Sequence, residues 1–433
     1  MTDLDRWLQR LESRNTETIR LGLERVGEVF ERLQASMGGT VITVAGTNGK
    51  GSVCAMLEAI LLASGYSVGL YTSPHLLRYT ERVRLNGREV DEQTLVAAFE
   101  SVESARGETP LTYFEQGTLA AWKVFCDAAP EVVILEVGLG GRLDAVNIVD
   151  ADCAIVTSVA MDHMEYLGDT RDKIGFEKAG VFRAGRPAIC GDPMPPESLL
   201  AHAEAIGAPL WISGRDFGFG GDRQQWGYWR FEAPGSAGGL VKRGGLAYPA
   251  LRGANQLLNA ASVLTALELL RDRIPVSMQA VRQGLMLVDL PGRFQVLPGR
   301  PTVVLDVAHN PQAAGVLAEN LSNMGFYPDT WCVIGMLADK DVEQVAALLS
   351  GRIDHWYVAS LQGARGLDCA DLAARLRAAG VAPEACFDSP AQAFDAARKA
   401  ASESDRILVF GSFMTVADVL GFLEDEGKKN ARG

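Results

Sequence analysis

The 433 residues are 48% hydrophobic and 22% charged and carry a net charge of −13. That length exceeds one ordinary core, so more than one domain is expected, and the acidic balance argues against a nucleic-acid surface, which relies on Lys and Arg to neutralise phosphates. No run approaches the roughly 20 apolar residues of a membrane helix, and the opening MTDLDRWLQRLESRN has acids but no apolar core of a secretory signal, so a cytoplasmic, membrane-free protein is expected.

In chain order, Leu23, Val26, Phe30 and Leu33 follow the three-and-four spacing of an amphipathic helix. It leads to the strand VITVAGT, a glycine loop, the helix SVCAMLEAILLASG and the strand SVGLYTS, together one parallel β-loop-α-β crossover. The apolar runs VVILEVG (132–138) and CAIVTSVA (153–160) read as further strands buried on both faces. Ligands of such sheets gather at the strands' carboxyl ends, so the polar residues just beyond these runs matter most. Residues 213–250 interleave Gly, Trp and Tyr with charge, which suggests short antiparallel strands. A helix, LRGANQLLNAASVLTALELLRD, comes next, and after PGRF a second alternating series runs from TVVLDVAHN through WCVIGML, HWYVASL and RILVFGSF, with helices between. The fold class expected is α/β: an N-terminal P-loop ATPase domain with a doubly wound, mainly parallel sheet over 1–292, and a smaller Rossmann-like domain over 293–433. The seven cysteines, Cys54, Cys126, Cys153, Cys190, Cys332, Cys369 and Cys386, form no C-x-x-C pair and read as plain buried thiols rather than a zinc or disulfide framework.

The glycine loop departs from the Walker pattern, because Gly51 separates Lys50 from Ser52. It still lies between a strand and a helix N-terminus, whose amides and dipole favour an anion. Gly46, Gly49 and Gly51 let the backbone approach a phosphate, Lys50 can reach terminal phosphates, and the Ser52 hydroxyl suits a magnesium ion. A turn that merely connects strand to helix is the alternative. Glu136, a carboxylate in an otherwise apolar strand, is costly to bury unless it is paired or metal-bound.

The stretch AGTNGKGS (45–52) resembles the ATP loop of the Mur ligase superfamily, and the extra Gly before Ser is that of its folylpolyglutamate synthase family. LGLERV (21–26), TSPHLLRYTERV (72–83), TYFEQGT (112–118), LEVGLGGRLDAVN (135–147), DHMEYLG (162–168), FEKAGVFR (176–183), GRF (292–294), DVAHNP (306–311) and GSF (411–413) are similar to that family in order, so the resemblance spans nearly the whole chain. It implies an ATP-dependent amide ligase, in which γ-phosphoryl transfer activates a carboxylate as an acyl phosphate for attack by the amine of L-glutamate. Such chemistry is mostly positioning and charge neutralisation.

The resemblance also implies roles for individual residues. Asn48, Gly49, Lys50, Gly51, Ser52, Val53, Asn255, Arg293 and Asp306 match ATP-contacting positions. Ser52, Glu136 and His163 match Mg²⁺ positions; an imidazole is an unusual partner for this ion, and from the residues alone His163 is a helix-start or loop histidine. Lys178 matches a lysine that CO₂ carbamylates into a ligand for a second Mg²⁺; read alone, it is a surface-helix lysine. Lys50, His163 and Lys178 are the implied catalytic set. Gly22, Leu23, Glu24 and Arg25, then Thr112, Tyr113, Phe114 and Glu115, then Leu143, Asp144 and Ala145 match dihydropteroate-contacting segments of the bifunctional members. Their joint presence favours addition of glutamate to both 7,8-dihydropteroate and tetrahydrofolate or its polyglutamates, over polyglutamylation alone. His309, Asn310 and Ser412 are glutamate-site candidates, while Met414 departs from the family's usual His. A monomer is expected. A Mur-type enzyme acting on a UDP-linked acceptor would want a domain ahead of the loop, and a P-loop kinase would leave the second domain and Lys178 unexplained.

Overall fold

The computed structural model describes residues 2–14, 20–222, 224–236, 238–253 and 255–430, the side chain of residue 430 excepted. Internal contacts divide the chain into two units: residues up to Ala250 together with Leu257–Val288, and Leu251–Gln256 together with everything from Asp289 onward. Among the described residues no helix is long and apolar enough to cross a membrane.

The N-terminal unit is built on β1 (Thr40–Ala45), β2 (Val68–Tyr71), β3 (Val83–Leu85), β4 (Arg88–Glu89), β5 (Val132–Glu136), β6 (Cys153–Val156), β7 (Ala188–Cys190) and β8 (Leu210–Ile212), in the spatial order β4-β3-β2-β5-β1-β6-β7-β8. From β2 to β8 every pairing is parallel, whereas β3 and β4 close one edge antiparallel. All six residues of the central β1 (TVITVA) are buried, as a strand covered on both faces requires. Helix Lys50–Ala63 comes after it and buries nine of its residues. Helix Met278–Leu287 packs on that helix closely enough that a Cβ on Gly284 would lie 2.5 Å from the Ile60 Cα, so glycine there is a packing requirement. The expected antiparallel sheet is formed by β9 (Phe217–Gly221), β10 (Trp226–Phe231) and β11 (Leu240–Leu246).

The C-terminal unit holds β12 (Gln295–Leu297), β13 (Thr302–Leu305), β14 (Thr330–Ile334), β15 (His355–Ala359), β16 (Ala385–Phe387) and β17 (Arg406–Phe410), in the order β12-β13-β17-β14-β15-β16. Only β12 runs antiparallel to its neighbour among these described strands. The helix expected from residue 251 begins at Gln256. Gly253, at φ +126°, is outside helical conformation, and residues 251–256 group with the other unit.

Two N-terminal helices join through one carboxylate. Glu103, on helix Glu92–Arg106, accepts from Arg14 at 2.7 and 2.8 Å and from Arg106 at 2.9 Å, while Trp7 stacks on Phe99 with centroids 6.0 Å apart. Bonds from Arg106 and Arg14 hold the Glu103 carboxyl well below the usual carboxylate range. A depressed folded pKa contributes stability that is complete above the unfolded value of about 4.3 and is lost as pH falls through the folded value. Glu103→Gln should therefore lower stability by about 1 kcal/mol at neutral pH, with the variant and parent denaturation curves converging in acid.

Candidate active site

The glycine loop crosses from β1 to helix Lys50–Ala63, and the neighbouring strand on its other side, β6, holds it in place. The Thr47 amide donates to the Ser158 carbonyl (2.8 Å), the Asn48 amide to Ser158 Oγ (3.1 Å), the Ala160 amide to Thr47 Oγ1 (3.0 Å), and the Thr157 hydroxyl to the Asn48 carbonyl (2.7 Å). Gly46 sits at φ +140°, where a Cβ would collide with Thr157 Oγ1. Gly49 sits at φ +92°, where a Cβ would lie 2.7 Å from Asn259 Oδ1 on helix Gln256–Leu269. Side chains are thus excluded where the loop turns, and a concave run of backbone remains. The first intrahelical bond shown runs from the Val53 amide to the Gly49 carbonyl, so the amides of Lys50, Gly51 and Ser52 lie in the anion-favouring first turn. Lys50 Nζ arches over the loop to the carbonyls of Gly46 (3.0 Å) and Thr47 (3.2 Å).

Around this loop the parallel sheet gathers buried charge. Glu136 is the last residue of β5, pairs in register with Val44, is 4% exposed, and accepts from the Ser73 amide at 3.1 Å. Ser52 is 2% exposed. Lys178, on helix Arg171–Ala179, is only 3% exposed, so the surface-lysine reading is wrong. Burial first, then the charge of Lys50, pushes its amine down to about 7, against the pull of Asp162 and Asp144. Asp144 accepts from the Leu139 (2.8 Å) and Val146 (3.0 Å) amides, and burial nevertheless pushes it up to about 6. His163 stands at φ +51°, unusual for a residue with a Cβ, with Nε2 3.9 Å from Asp162 Oδ1. Each of these groups lies at or just beyond the carboxyl end of β1, β5 or β6, except Lys178, which the helix after β6 brings back to the same rim.

The three segments matched to a pterin acid also converge. The Gly22 amide donates to the Leu143 carbonyl (3.3 Å), and Arg25 bonds the buried Glu115 at 2.8 Å. Thr112 and Glu115 cap helix Tyr113–Ala128 reciprocally, and Asp144 caps the short 3₁₀ turn Ala145–Ile148, so both acids are occupied by their own backbone. The Phe114 ring lies against Gly138, where a Cβ would come within 2.5 Å. Glu24 is exposed; Leu23 and Leu143 are half-buried.

In the C-terminal unit the neighbouring ends of β13 and β17 bring a second group together. Asp306 accepts from the amides of Phe294 (2.8 Å) and Ala308 (2.7 Å), which stabilises Phe294 at φ +44°. Desolvation pushes the Asp306 carboxyl up against the pull of Arg293. The Arg293 guanidinium lies 4.9 Å from the Phe413 ring centre, and His309 stands beside the same ring, its Nδ1 2.8 Å from the Val307 carbonyl. Asn310 caps helix Pro311–Asn323, and Ser412 Oγ accepts from the Met414 amide at 3.2 Å, which leaves the Met414 side chain outward and 41% exposed. Asn255, exposed in a turn, does not join this group by any described contact.

Reading by motif missed Thr157 and Ser158, although they directly succeed the run CAIV, and missed Ser73 and Asp162 inside stretches that carry the resemblance. Asn259 gave no local signal, since its place against Gly49 depends on how distant segments fold together.

The sheet, loop and buried rim are those of a Mur ligase: residues 44–190 match the Mur ligase middle domain and residues 292–413 the Mur ligase glutamate ligase domain. The chain is 45% identical over 419 residues to the dihydrofolate synthase/folylpolyglutamate synthase of Escherichia coli (strain K12), covering 96% of this chain and 95% of that protein. It resembles the structure of E. coli FolC in complex with DHPP and ADP, with a TM-score of 0.90, 45% identity and 98% of each chain covered. It also resembles a bifunctional folylpolyglutamate synthase/dihydrofolate synthase with Mn, AMPPNP and L-glutamate bound, with a TM-score of 0.89, 44% identity and 98% of each chain covered. This chain belongs to the dihydrofolate synthase/folylpolyglutamate synthase family.

Gly46→Ala should be the most damaging single-methyl change in the loop, because it combines a positive φ with a collision. A loss of about 2–4 kcal/mol is expected, read as a lowered urea midpoint, whereas Gly65→Ala, with open space around its Cβ but φ +88°, should cost about 1 kcal/mol.

Proposed function

We propose that this chain is an ATP-dependent ligase that joins L-glutamate to 7,8-dihydropteroate, forming dihydrofolate, and to tetrahydrofolate and its polyglutamates, forming folylpolyglutamates, with release of ADP and phosphate. The observation that carries this is the glycine loop sharing one sheet rim with the buried Glu136 and Lys178. A carboxylate is a poor electrophile until phosphorylated, and phosphoryl transfer needs fixed positive charge more than a covalent nucleophile. Residues Asn48 to Val53 form the nucleotide loop, in which the first-turn amides of Lys50, Gly51 and Ser52 and the Lys50 ammonium orient the phosphates and take up charge as the terminal phosphoryl group passes to the acceptor's carboxylate. The glutamate amine then attacks the acyl phosphate, and phosphate departs.

Ser52, Glu136, His163 and carbamylated Lys178 would hold Mg²⁺, two ions in all. When bound, the divalent ions supply neutralisation of the phosphoryl oxygens. The donor set fits that role. Carbamylation of Lys178 would add a carboxylate-like oxygen donor to the Ser52 hydroxyl, the Glu136 carboxylate and the His163 imidazole. The Lys178 amine pushed down to about 7 is substantially neutral near physiological pH. In that form it adds CO₂, releasing one proton and replacing a neutral amine beside Lys50 with an anion.

Asn255, Arg293 and Asp306 are assigned to ATP, Arg being suited to phosphate and Asp to ribose hydroxyls. His309, Asn310 and Ser412 are assigned to glutamate, and the outward Met414 is assigned no role. The convergence of residues 22–25, 112–115 and 143–145 supports a pterin site, with Phe114 offering a ring face and backbone groups the edge contacts. That convergence favours dual activity over polyglutamylation alone. The enzyme is taken to act as a monomer in the cytoplasm, with the N-terminal unit carrying the phosphate loop and the pterin-acid segments and the C-terminal unit carrying the glutamate candidates.

Phosphate release with Mg-ATP and glutamate, measured with dihydropteroate, with tetrahydrofolate and with no acceptor, tests the reading. Release with both acceptors, each product gaining one glutamate, is expected. Release with tetrahydrofolate alone would restrict the enzyme to polyglutamylation, and acceptor-independent release would overturn ligation. Separately, ¹³C-bicarbonate should give a carbamate resonance that Lys178→Met lacks, with turnover lowered about 100-fold or more in that variant. Because protonation blocks CO₂ addition, activity should fall as pH drops below about 7 and be partly restored by added bicarbonate.

A further inference from the structure

The buried-thiol expectation holds for Cys54, Cys153, Cys190 and Cys332, but Cys126 and Cys369 are half-buried and Cys386 is exposed. Two of these accessible thiols meet. Cys386 lies on β16, which pairs with β15 at the edge of the C-terminal sheet, in register with Val358. Its Sγ is 3.3 Å from the carbonyl oxygen of Cys369, the first residue of helix Cys369–Ala378. The Cys369 amide is itself fixed, donating to Ser360 Oγ at 2.9 Å, and the Ser360 amide donates to the Phe387 carbonyl at 3.0 Å. The two cysteines are thus held together by backbone ties on both sides, 17 residues apart in the chain.

We infer that Cys369 and Cys386 form a redox-sensitive pair, a modification site at which a peroxide produces a reversible disulfide between the helix start and the edge strand. Cys369 is the attacking sulfur. Desolvation, followed by the bond to the Cys369 side chain, pushes the Cys386 thiol up to about 11 and keeps it protonated as the resolving partner. The Cys369 thiolate takes one oxygen from hydrogen peroxide and becomes a sulfenic acid as hydroxide leaves. The Cys386 sulfur then displaces the sulfenic oxygen, which departs as water with the Cys386 proton. Both sulfurs are oxidised by one electron each and the peroxide is fully reduced. A dithiol reductant reverses the change by exchange. In a reducing compartment the bridge would be transient, as suits a sensor rather than a structural staple.

Peptide mass spectrometry of the whole folded protein, before and after hydrogen peroxide, tests this. The expected result is a cross-linked pair of peptides carrying Cys369 and Cys386, about 2 Da lighter than the separate thiols, restored by dithiothreitol. In Cys386→Ser the cross-link should vanish while a dimedone adduct appears at Cys369, and Cys126 in the parent should react no faster than in either variant. The inference fails if the two peptides stay separate, whether unmodified or carrying added oxygens, or if Cys386 rather than Cys369 is the sulfur trapped by dimedone. Cys369→Ser should leave Cys386 a free thiol under the same exposure, and its oxidation there would count equally against the assignment.

Discussion

The Thr157 hydroxyl occupies the space that a side chain on Gly46 would need and ties down the Asn48 carbonyl at 2.7 Å. Through that contact the end of β6 dictates the path of the loop leaving β1, and the loop's path dictates where helix Lys50–Ala63 starts. The helix in turn sets the positions of Lys50 and Ser52. A phosphate cradle on a parallel sheet thus depends on the strand beside it as much as on its own glycines.

Charge at the rim is governed by the same geometry. Parallel strands buried on both faces put their ends in a low-dielectric environment, where a lone ion is expensive. Lys178 and Asp144 both shift toward their neutral forms, as expected of groups whose burial outweighs their partners. An arrangement that holds ionisable groups against their preference is common where chemistry is done. In the C-terminal unit, Asp306 ties the strained turn at Phe294 to the end of β13, accepting from the Phe294 amide with one oxygen and from the Ala308 amide with the other, and Arg293 stands beside Phe413.

Much of this was legible in the sequence, for identifiable reasons. Runs such as TVITVA and VVILE are continuous and β-branched, so the central strands declare themselves, and Glu136 stands out as a carboxylate inside one of them. The short outer strands β7, β8 and β16, of three residues each, hold too little pattern to register. Helix Glu92–Arg106 does carry a local start signal, the Asp91 cap bonded to the Thr94 amide, which composition and hydrophobic spacing alone pass over. The burial of Lys178 could not be read locally, because it is produced by the 138–144 loop folding back: the Arg142 amide bonds the Glu177 carbonyl at 2.7 Å. The contact of Cys386 with Cys369 was hidden in the same way, since it arises from an edge strand and a helix start meeting across an intervening turn.

Asn259 walls the loop at Gly49, yet it belongs to a segment that returns to the N-terminal unit only after residues 251–256 have joined the other one. During synthesis on the ribosome, the nucleotide loop and its strands emerge early, but the last wall of that loop emerges only after the whole β9–β11 sheet. The first unit therefore cannot be completed as an independent bead before the chain has begun the second. A nascent chain halted ahead of residue 257 would carry a glycine loop open on the side where Asn259 belongs.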